Sequence, residues 1–523
     1  MNVRPGILSP ATRWNWRYII IYAALLIRIG VEIGRFHNGD TGFSALVDFG
    51  DLFAARRVPQ LAEVPIYTQV RSAGYDGQFY AQLAVAGNPF DPGLRTALDS
   101  PAYRARRILL PALVHIAGLG EPAHIIQIYA LANLFCLLVL AALLARWWFP
   151  PTDLQNLLRW TGTLFGAGMM VSVTRSLVDG PALLVVAVGA RLVENGRRAL
   201  GAAVLAAAGL VRETSVLCAA AFLPEGRTGR DWLRAGAAAA LCVAPALMWA
   251  VILAHHYGGG TGSRNFGLPF VSFGRKLAEL YRGWHRSGFD LSARTELFAV
   301  VALATQAGFL LFRPRLDLVW WRIGAVFALL WIFLGWAVWE SSPSAAARAV
   351  LPMTLAFNVL APRSRRALLL LVLGNLTVLS AFDILQMVPA EQTTFGYGVT
   401  SHYQSGWWNP ERRGHRTWRW ASGPAELALK NPTSRTFRAT LDFEIASVTP
   451  RTVTLHVADA RVPDRSISLV GTKRVPERYG PFALPPGDTT ITFSTAEPAW
   501  IESVTSRRPL TFSIYDFHAA IVP

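Results

Sequence analysis

Apolar residues fill most of the first 390 positions in runs separated by short basic segments. An apolar helix needs about 20 residues to cross a bilayer. On that measure the pattern predicts spans at roughly 17–36, 124–148, 155–175, 179–194, 232–256, 296–312, 318–338, 346–361 and 367–389. The run 199–223 is also apolar but carries Arg212 and Glu213 at its middle. Charges at membrane depth are costly and face protein or water, so this run predicts two half-helices that enter and return on the same side. The expected membrane body has about 9–11 helices.

Arg13 and Arg17, Arg197 and Arg198, Arg227, Arg230 and Arg234, Arg313, Arg315 and Arg322, and Arg363, Arg365 and Arg366 then share one side. The positive-inside rule makes that side cytoplasmic, together with the N-terminus. The opposite face receives three long segments: 37–107, 257–295 and everything after about 390. The first apolar stretch lacks a small-residue cleavage site and reads as a retained helix.

Beyond 390 the period changes. "RTFRATLDFEIAS", "RTVTLHVAD", "DTTITFST" and "PLTFSIYDF" alternate apolar with polar, and "NPTS" and "LPPGD" punctuate them. Period two with turn signals predicts a β-sandwich or jelly roll over 391–523. The stretch "GWWNPERRGHRTWRW" opens it with Trp407, Trp408, Trp418 and Trp420. These rings are candidates for stacking on sugars, against a place in the sandwich core or at a membrane surface.

Composition supports the membrane reading: 52% of residues are hydrophobic and 16% charged, against about 25% charged in soluble domains. A formal charge of +17 raises nucleic acid as a partner, but the basic residues flank apolar runs, so membrane lipids are expected and nucleic acid is not. Cys136, Cys218 and Cys242 lie in apolar segments and form no CxxC pair or disulfide framework.

The candidate chemistry sits on the outer face. Within "SAGYDGQFYAQLA", Ser72 to Ala84, Asp76 precedes a helical pattern that "NP" stops. It suits an N-cap, and equally a general base at the membrane surface. The cap would also aim the carboxylate. Tyr75, Gln78 and Tyr80 beside it are candidate substrate contacts. Arg104, Arg106 and Arg107 could stabilise a leaving phosphate or anchor to headgroups. Arg348, in "SPSAAARAVLPM", is a lone arginine on the outer side, unusual under the positive-inside rule. Arg264, Lys276, Arg282, His285 and Arg286 form a further basic set, with His285 the candidate substrate contact. Asp179 suits an N-cap ahead of Gly180 and Pro181, or a substrate contact. Glu213 is expected to pair with Arg212. No HExxH and no outer-loop DxD occurs, so neither metal nor cofactor is expected.

The stretch "GYDGQFYAQLA" resembles the first-loop motif of lipid-linked-sugar glycosyltransferases of the GT-C fold, in their mannosyltransferase-like branch. There an aromatic-Asp pair is followed by an aromatic pair and Ile/Leu-Ala. "LDSPAYRARRILLPALVHIAG", Leu98 to Gly118, resembles the segment after that motif in bacterial membrane proteins of cell-surface glycopolymer formation. The resemblance covers about residues 1–390. It implies transfer of a sugar, with inversion, from a polyprenyl-phosphate donor to an extracytoplasmic glycan or glycolipid acceptor at a bacterial inner membrane. It implies Asp76 as base and Arg348 as phosphate ligand. Tyr75 stands where relatives often have Trp, and the insertion 37–71 leaves Asp40 in "HNGD" as a rival base. Two alternatives stand beside it: an O-antigen-type ligase or polymerase relying on "YRGWHR" at 281–286, and a flippase for lipid-linked sugar.

Overall fold

The computed structural model describes residues 14–69, 72–224, 228–258, 265–287, 291–340, 344–385, 394–413, 416–458, 462–502 and 507–523. The chain is mostly helical up to Leu385 and all β from Thr400 onward. Buried apolar side chains from Tyr22 to Leu385 form one large core, and those from Phe395 to Ala519 form another.

Among the described residues, three helices are long and apolar enough to cross a membrane: Pro122–Trp147, Gly229–Tyr257 and Arg294–Phe312. Arg365–Gly374 and Leu376–Leu385 form an apolar pair bent by 47°. The expected span 17–36 is one continuous helix, Trp16–Gly34, that carries Arg17, Arg28 and Glu32; the others are short or broken, and local chemistry explains the breaks. The run 155–175 divides into Leu154–Leu164 and Ala167–Thr174. Thr161 and Thr163 hydroxyls donate back to the carbonyls of Leu157 and Arg159, which weakens and bends a helix, and Gly166 then turns extended. The run 346–361 divides at Val350, two residues before Pro352. Proline lacks the amide proton and its ring clashes with the carbonyl four residues back, so Arg348 sits at the end of a short helix instead of inside a span. The run 318–338 divides into Val319–Ile332 and Trp336–Trp339. There the carbonyls of Ile332 and Phe333 accept amide protons from Phe270 and Gly267, meeting the need of a helix end for partners.

The run 199–223 is two pieces, as expected: an α-helix, Arg198–Val211, and a 3-10 helix, Glu213–Phe222, that pack on each other. Ten residues of 3-10 helix is unusual, since such runs seldom exceed 3–4 residues and often mark a hinge or a stretch under strain.

The described parts of the segment 37–107 pack into the helical core through Leu46, Val47, Phe49, Tyr80 and Leu83. Asp48 is buried there in an ion pair with Arg175. Gly74 has φ +67°, and a Cβ at Gly77 would lie 2.2 Å from the Arg175 carbonyl oxygen. Both glycines let the chain turn tightly ahead of the Gly77–Ala86 helix.

The C-terminal sandwich has two five-stranded antiparallel sheets. One runs Val475–Leu484, Phe437–Ser447, Phe512–Val522, Arg416–Trp420, Glu411–Arg413. The other runs Thr400–Tyr403, Ala425–Asn431, Gly487–Ser494, Arg451–Val457, Arg465–Leu469. Alternate residues such as Leu441, Ile445, Ile491 and Phe493 are buried between the sheets, as period-two patterning dictates.

Candidate functional site

A cavity of about 370 Å³ lies where the start of the Gly77–Ala86 helix, the "YRARR" segment, the Arg212–Thr214 break and the short helix carrying Arg348 meet. One wall is charged. It carries four arginines, Arg106, Arg107, Arg212 and Arg348, and two carboxylates, Asp76 and Glu213. The lining also includes apolar residues: Phe266, Leu330, Leu334, Ala337, Val338 and Ala349. The proline break at 352 and the loop 265–270 thus both shape it.

Asp76 starts its helix with αR backbone angles and its side chain caps no amide. The expected cap is absent. Arg104 holds the carboxylate instead, with Nη2 2.8 Å from Oδ1. Arg104 is itself gripped by Asp99, through Nε at 2.8 Å and Nη2 at 2.7 Å, and donates to the Tyr80 hydroxyl at 3.2 Å. Burial pushes the Asp76 carboxyl up, but the Arg104, Arg348 and Arg107 guanidiniums more than offset it, leaving it below the usual carboxylate range. Asp76 is therefore ionised at any physiological pH. Its side chain keeps 31% of its exposure, enough to meet a ligand in the cavity.

The "RARR" arginines differ in role. Arg104 stands behind Asp76 and does not line the cavity. Arg107 lines it but is fully engaged: Nε and Nη2 grip Glu213 at 2.7 and 2.6 Å, Nη2 also donates to the Tyr103 hydroxyl at 2.7 Å, and Nη1 donates to Tyr80. Arg106 lines the cavity, makes no ion pair among the described residues, and has a buried Nε without a partner. A cation whose donors are unspent is the natural seat for an added anion.

Arg348 donates from Nη2 to the Tyr75 hydroxyl at 2.9 Å and pairs through Nη1 with Asp179 at 3.3 Å. Asp179 also pairs with Arg212. It caps no helix, since the cap position of Asp179–Glu194 is Val178. Glu213 pairs with Arg107 and not with its neighbour Arg212. Chain neighbours at a helix break diverge, so each charge finds a partner across the fold. Sequence reasoning therefore missed Glu213 and Arg212 as cavity residues. Two charges in the middle of an apolar run were the signal.

Several expected contacts lie elsewhere. Gln78 is buried, accepting from the Gly50 amide and donating to the Ala73 carbonyl, so it braces the turn. Tyr80 is fully buried and anchors Arg104 and Arg107. Tyr75 orients Arg348, its ring centroid lying 5.5 Å from the guanidinium carbons of both Arg348 and Arg175. Asp40 is exposed, accepts a hydrogen bond from the Thr394 hydroxyl and does not line the cavity. His285 is exposed on the Val271–Ser287 helix, bonds the Tyr281 carbonyl one turn back and is not part of the cavity lining. Lys276 is buried between Glu279 and Glu296. Arg264 lies outside the described residues, as does the side chain of Arg286.

Trp407 is core: 1% exposed, with Nε1 donating to the Glu426 carbonyl and its ring edge-on to Phe493 and Phe512. It cannot stack on a sugar. Trp408 is half-buried, its Nε1 tied to the Pro509 carbonyl. Among the described residues no cluster of three or more His, Cys, Asp or Glu is gathered as a metal site.

No protein-family model matches the chain. No curated protein matches it either. Among solved structures, one of TmCBM61 in complex with beta-1,4-galactotriose is similar at 13% identity over 24% of this chain and 90% of that one, with a TM-score of 0.16. A likeness that slight carries no weight for the cavity or for the sandwich. What the cavity can do rests on its own chemistry. It offers an ionised carboxylate, unspent guanidinium donors and apolar lining residues within one space, which suits an anionic phosphate joined to something greasy.

Proposed function

We propose that this chain is a multi-spanning membrane glycosyltransferase of GT-C type, using a polyprenyl-phosphate sugar and an extracytoplasmic glycan or glycolipid acceptor. The observation that carries the reading is the cavity: Asp76 lines the same space as Arg106, Arg348 and a set of apolar residues. Membrane residence is supported by the Gly229–Tyr257 helix, whose most apolar window is only 11% buried by protein. Trp232, Leu233, Leu247, Met248 and Val251 point outward from it, a surface that lipid covers more readily than water. Orientation follows the basic clusters, with the N-terminus cytoplasmic and the sandwich on the outer face of a bacterial inner membrane.

In this mechanism the acceptor hydroxyl gives its proton to an Asp76 oxygen as its own oxygen bonds to the anomeric carbon. The bond from that carbon to the phosphate oxygen breaks, and its electron pair stays on the phosphate. The phosphate passes from a singly charged diester to a doubly charged monoester. Arg106, Arg348 and Arg212 lie where that growing charge needs cations. Asp76 is a weak base because its arginines favour the ionised form, so proton transfer comes late, as the hydroxyl becomes acidic by bonding.

The test is transfer by purified protein supplied with polyprenyl-phosphate sugars. Asp76→Asn should lose at least about 100-fold in kcat, within the range general-base removal commonly costs, and Asp40→Asn should behave as wild type. Unchanged transfer by Asp76→Asn would sink the base assignment. The diphosphate-ligase alternative gains nothing from His285, which is not part of the cavity lining.

A further inference from the structure

The charged wall has a charge count that one residue sets. Arg107 is cancelled by Glu213. Arg212 and Arg348 share Asp179. Arg104 is shared by Asp76 and Asp99, and Arg106 has no ion-pair partner among the described residues. Counting the wall together with Arg104, Asp99 and Asp179, which pair with its residues from outside the lining, five arginines meet four carboxylates, leaving one net positive charge. The neighbouring Arg175–Asp48 pair is neutral and leaves the count unchanged.

From this we infer that Glu213 is the specificity-determining residue for phosphate charge, matching the cavity to a singly charged phosphodiester and against doubly charged phosphates. The inference rests on the function proposed above and adds to it. A monoanionic diester brings the wall to neutrality. When the acceptor proton moves onto Asp76, the wall gains one positive charge just as the phosphate gains one negative charge, so the site stays neutral through the reaction. Without Glu213 the empty wall would carry two positive charges and would hold a dianion best before any reaction, tightening the product and diphosphates alike. Glu213 can set the charge because it lines the cavity, held by Arg107 in a two-point grip. That grip also keeps Arg107 from serving as a phosphate ligand.

The experiment compares two sugar-free probes, dibutyl phosphate and monobutyl phosphate, binding to full-length protein in detergent micelles at pH 8, and reads the ratio of their affinities in each variant so that their difference in shape cancels. There the diester carries one charge and the monoester is a dianion, its second pKa being about 6. In Glu213→Gln the affinity ratio should move toward the monoester by about tenfold or more, the scale of one partly buried charge. Glu213→Asp keeps the charge and should hold the wild-type ratio to within about threefold. A Glu213→Gln protein that changes affinity for both probes equally, or for neither, overturns the inference. So does a ratio that shifts as far in Glu213→Asp, because the effect would then be one of shape. The readout does not depend on transfer. A shifted ratio with transfer surviving in Asp76→Asn would sink the chemistry and keep the charge assignment. An unmoved ratio with transfer lost in Asp76→Asn would do the reverse.

Discussion

Asp99 touches no part of the cavity, yet its replacement by Asn should slow the reaction. Its two oxygens accept from Arg104 Nε at 2.8 Å and Nη2 at 2.7 Å, and the same Nη2 holds Asp76 Oδ1 at 2.8 Å. A hydrogen bond to a charged group contributes about 1.5–3 kcal/mol. Asn keeps one acceptor and turns an amide N–H toward a guanidinium, and Asp99 is 35% exposed, so the net loss of stability should be about 2 kcal/mol. The effect on rate comes through geometry. With Arg104 no longer fixed, the Asp76 carboxylate can drift, and a misplacement of about 1 Å can cost about 100-fold. We expect kcat to fall about 10- to 100-fold with KM within about threefold of wild type, because the donor's phosphate is held by other arginines. Steady-state kinetics with a polyprenyl-phosphate sugar, beside a detergent unfolding titration, reads both quantities. A normal kcat with reduced stability would refute the positioning role. A raised KM with a normal kcat would show that Asp99 acts on binding instead.

Three further outcomes follow from the geometry. Gly77→Ala would put a Cβ 2.2 Å from the Arg175 carbonyl oxygen and 2.8 Å from that of Val47; these are backbone atoms, so we expect a loss of about 2 kcal/mol or more, and an unchanged melting temperature would refute the close approach. Trp407→Ala should destabilise the sandwich by about 3–5 kcal/mol, measured by unfolding monitored through strand signal, whereas His285→Ala should leave both fold and transfer as they are. The pH response of Asp76 is signed by its depressed value: its ionised form stabilises the fold above the unfolded value of about 3.9, and that contribution disappears as pH falls through the lower folded value. Stability curves of wild type and Asp76→Asn should therefore run parallel above about pH 5 and approach each other only below about pH 4; convergence near neutral pH would contradict the ion pairing.

The sequence exposed the parts of the site that rest on local pattern. Asp76 ahead of a helix, arginines ahead of an apolar run and Arg348 before a proline were each visible, and four of these residues meet at one cavity. Partners were not visible. Arg107 and Glu213 are 106 residues apart and Arg348 and Tyr75 are 273 apart, so nearest-neighbour pairing of Arg212 with Glu213 was the wrong guide. Caps failed at Asp76 and Asp179 for one reason: a nearby guanidinium offers a carboxylate more than an amide does. The breaks within the expected spans were not legible, because hydropathy averages across threonine back-bonds, glycines and Pro352, which divide a run without making it less apolar. Strand alternation was legible in the tail, but Trp407 was not, since its place depends on which face of the turn meets both sheets.

The glycine corner at Gly50, Gly74 and Gly77 has a consequence for descent. A Cβ on Gly50 would fall 2.2 Å from the Gly74 amide nitrogen, and one on Gly77 would strike the Arg175 carbonyl. Three stretches of main chain are wedged together without room for a methyl group, in the turn that carries Asp76. Chains that inherit this corner can exchange nearly every surrounding apolar residue for another of similar volume, but these positions have no neighbouring state to drift through. In distant descendants whose overall identity has faded, the spacing of those glycines around an aromatic residue and Asp76 is what should persist, and its loss would mark lineages that have abandoned the site.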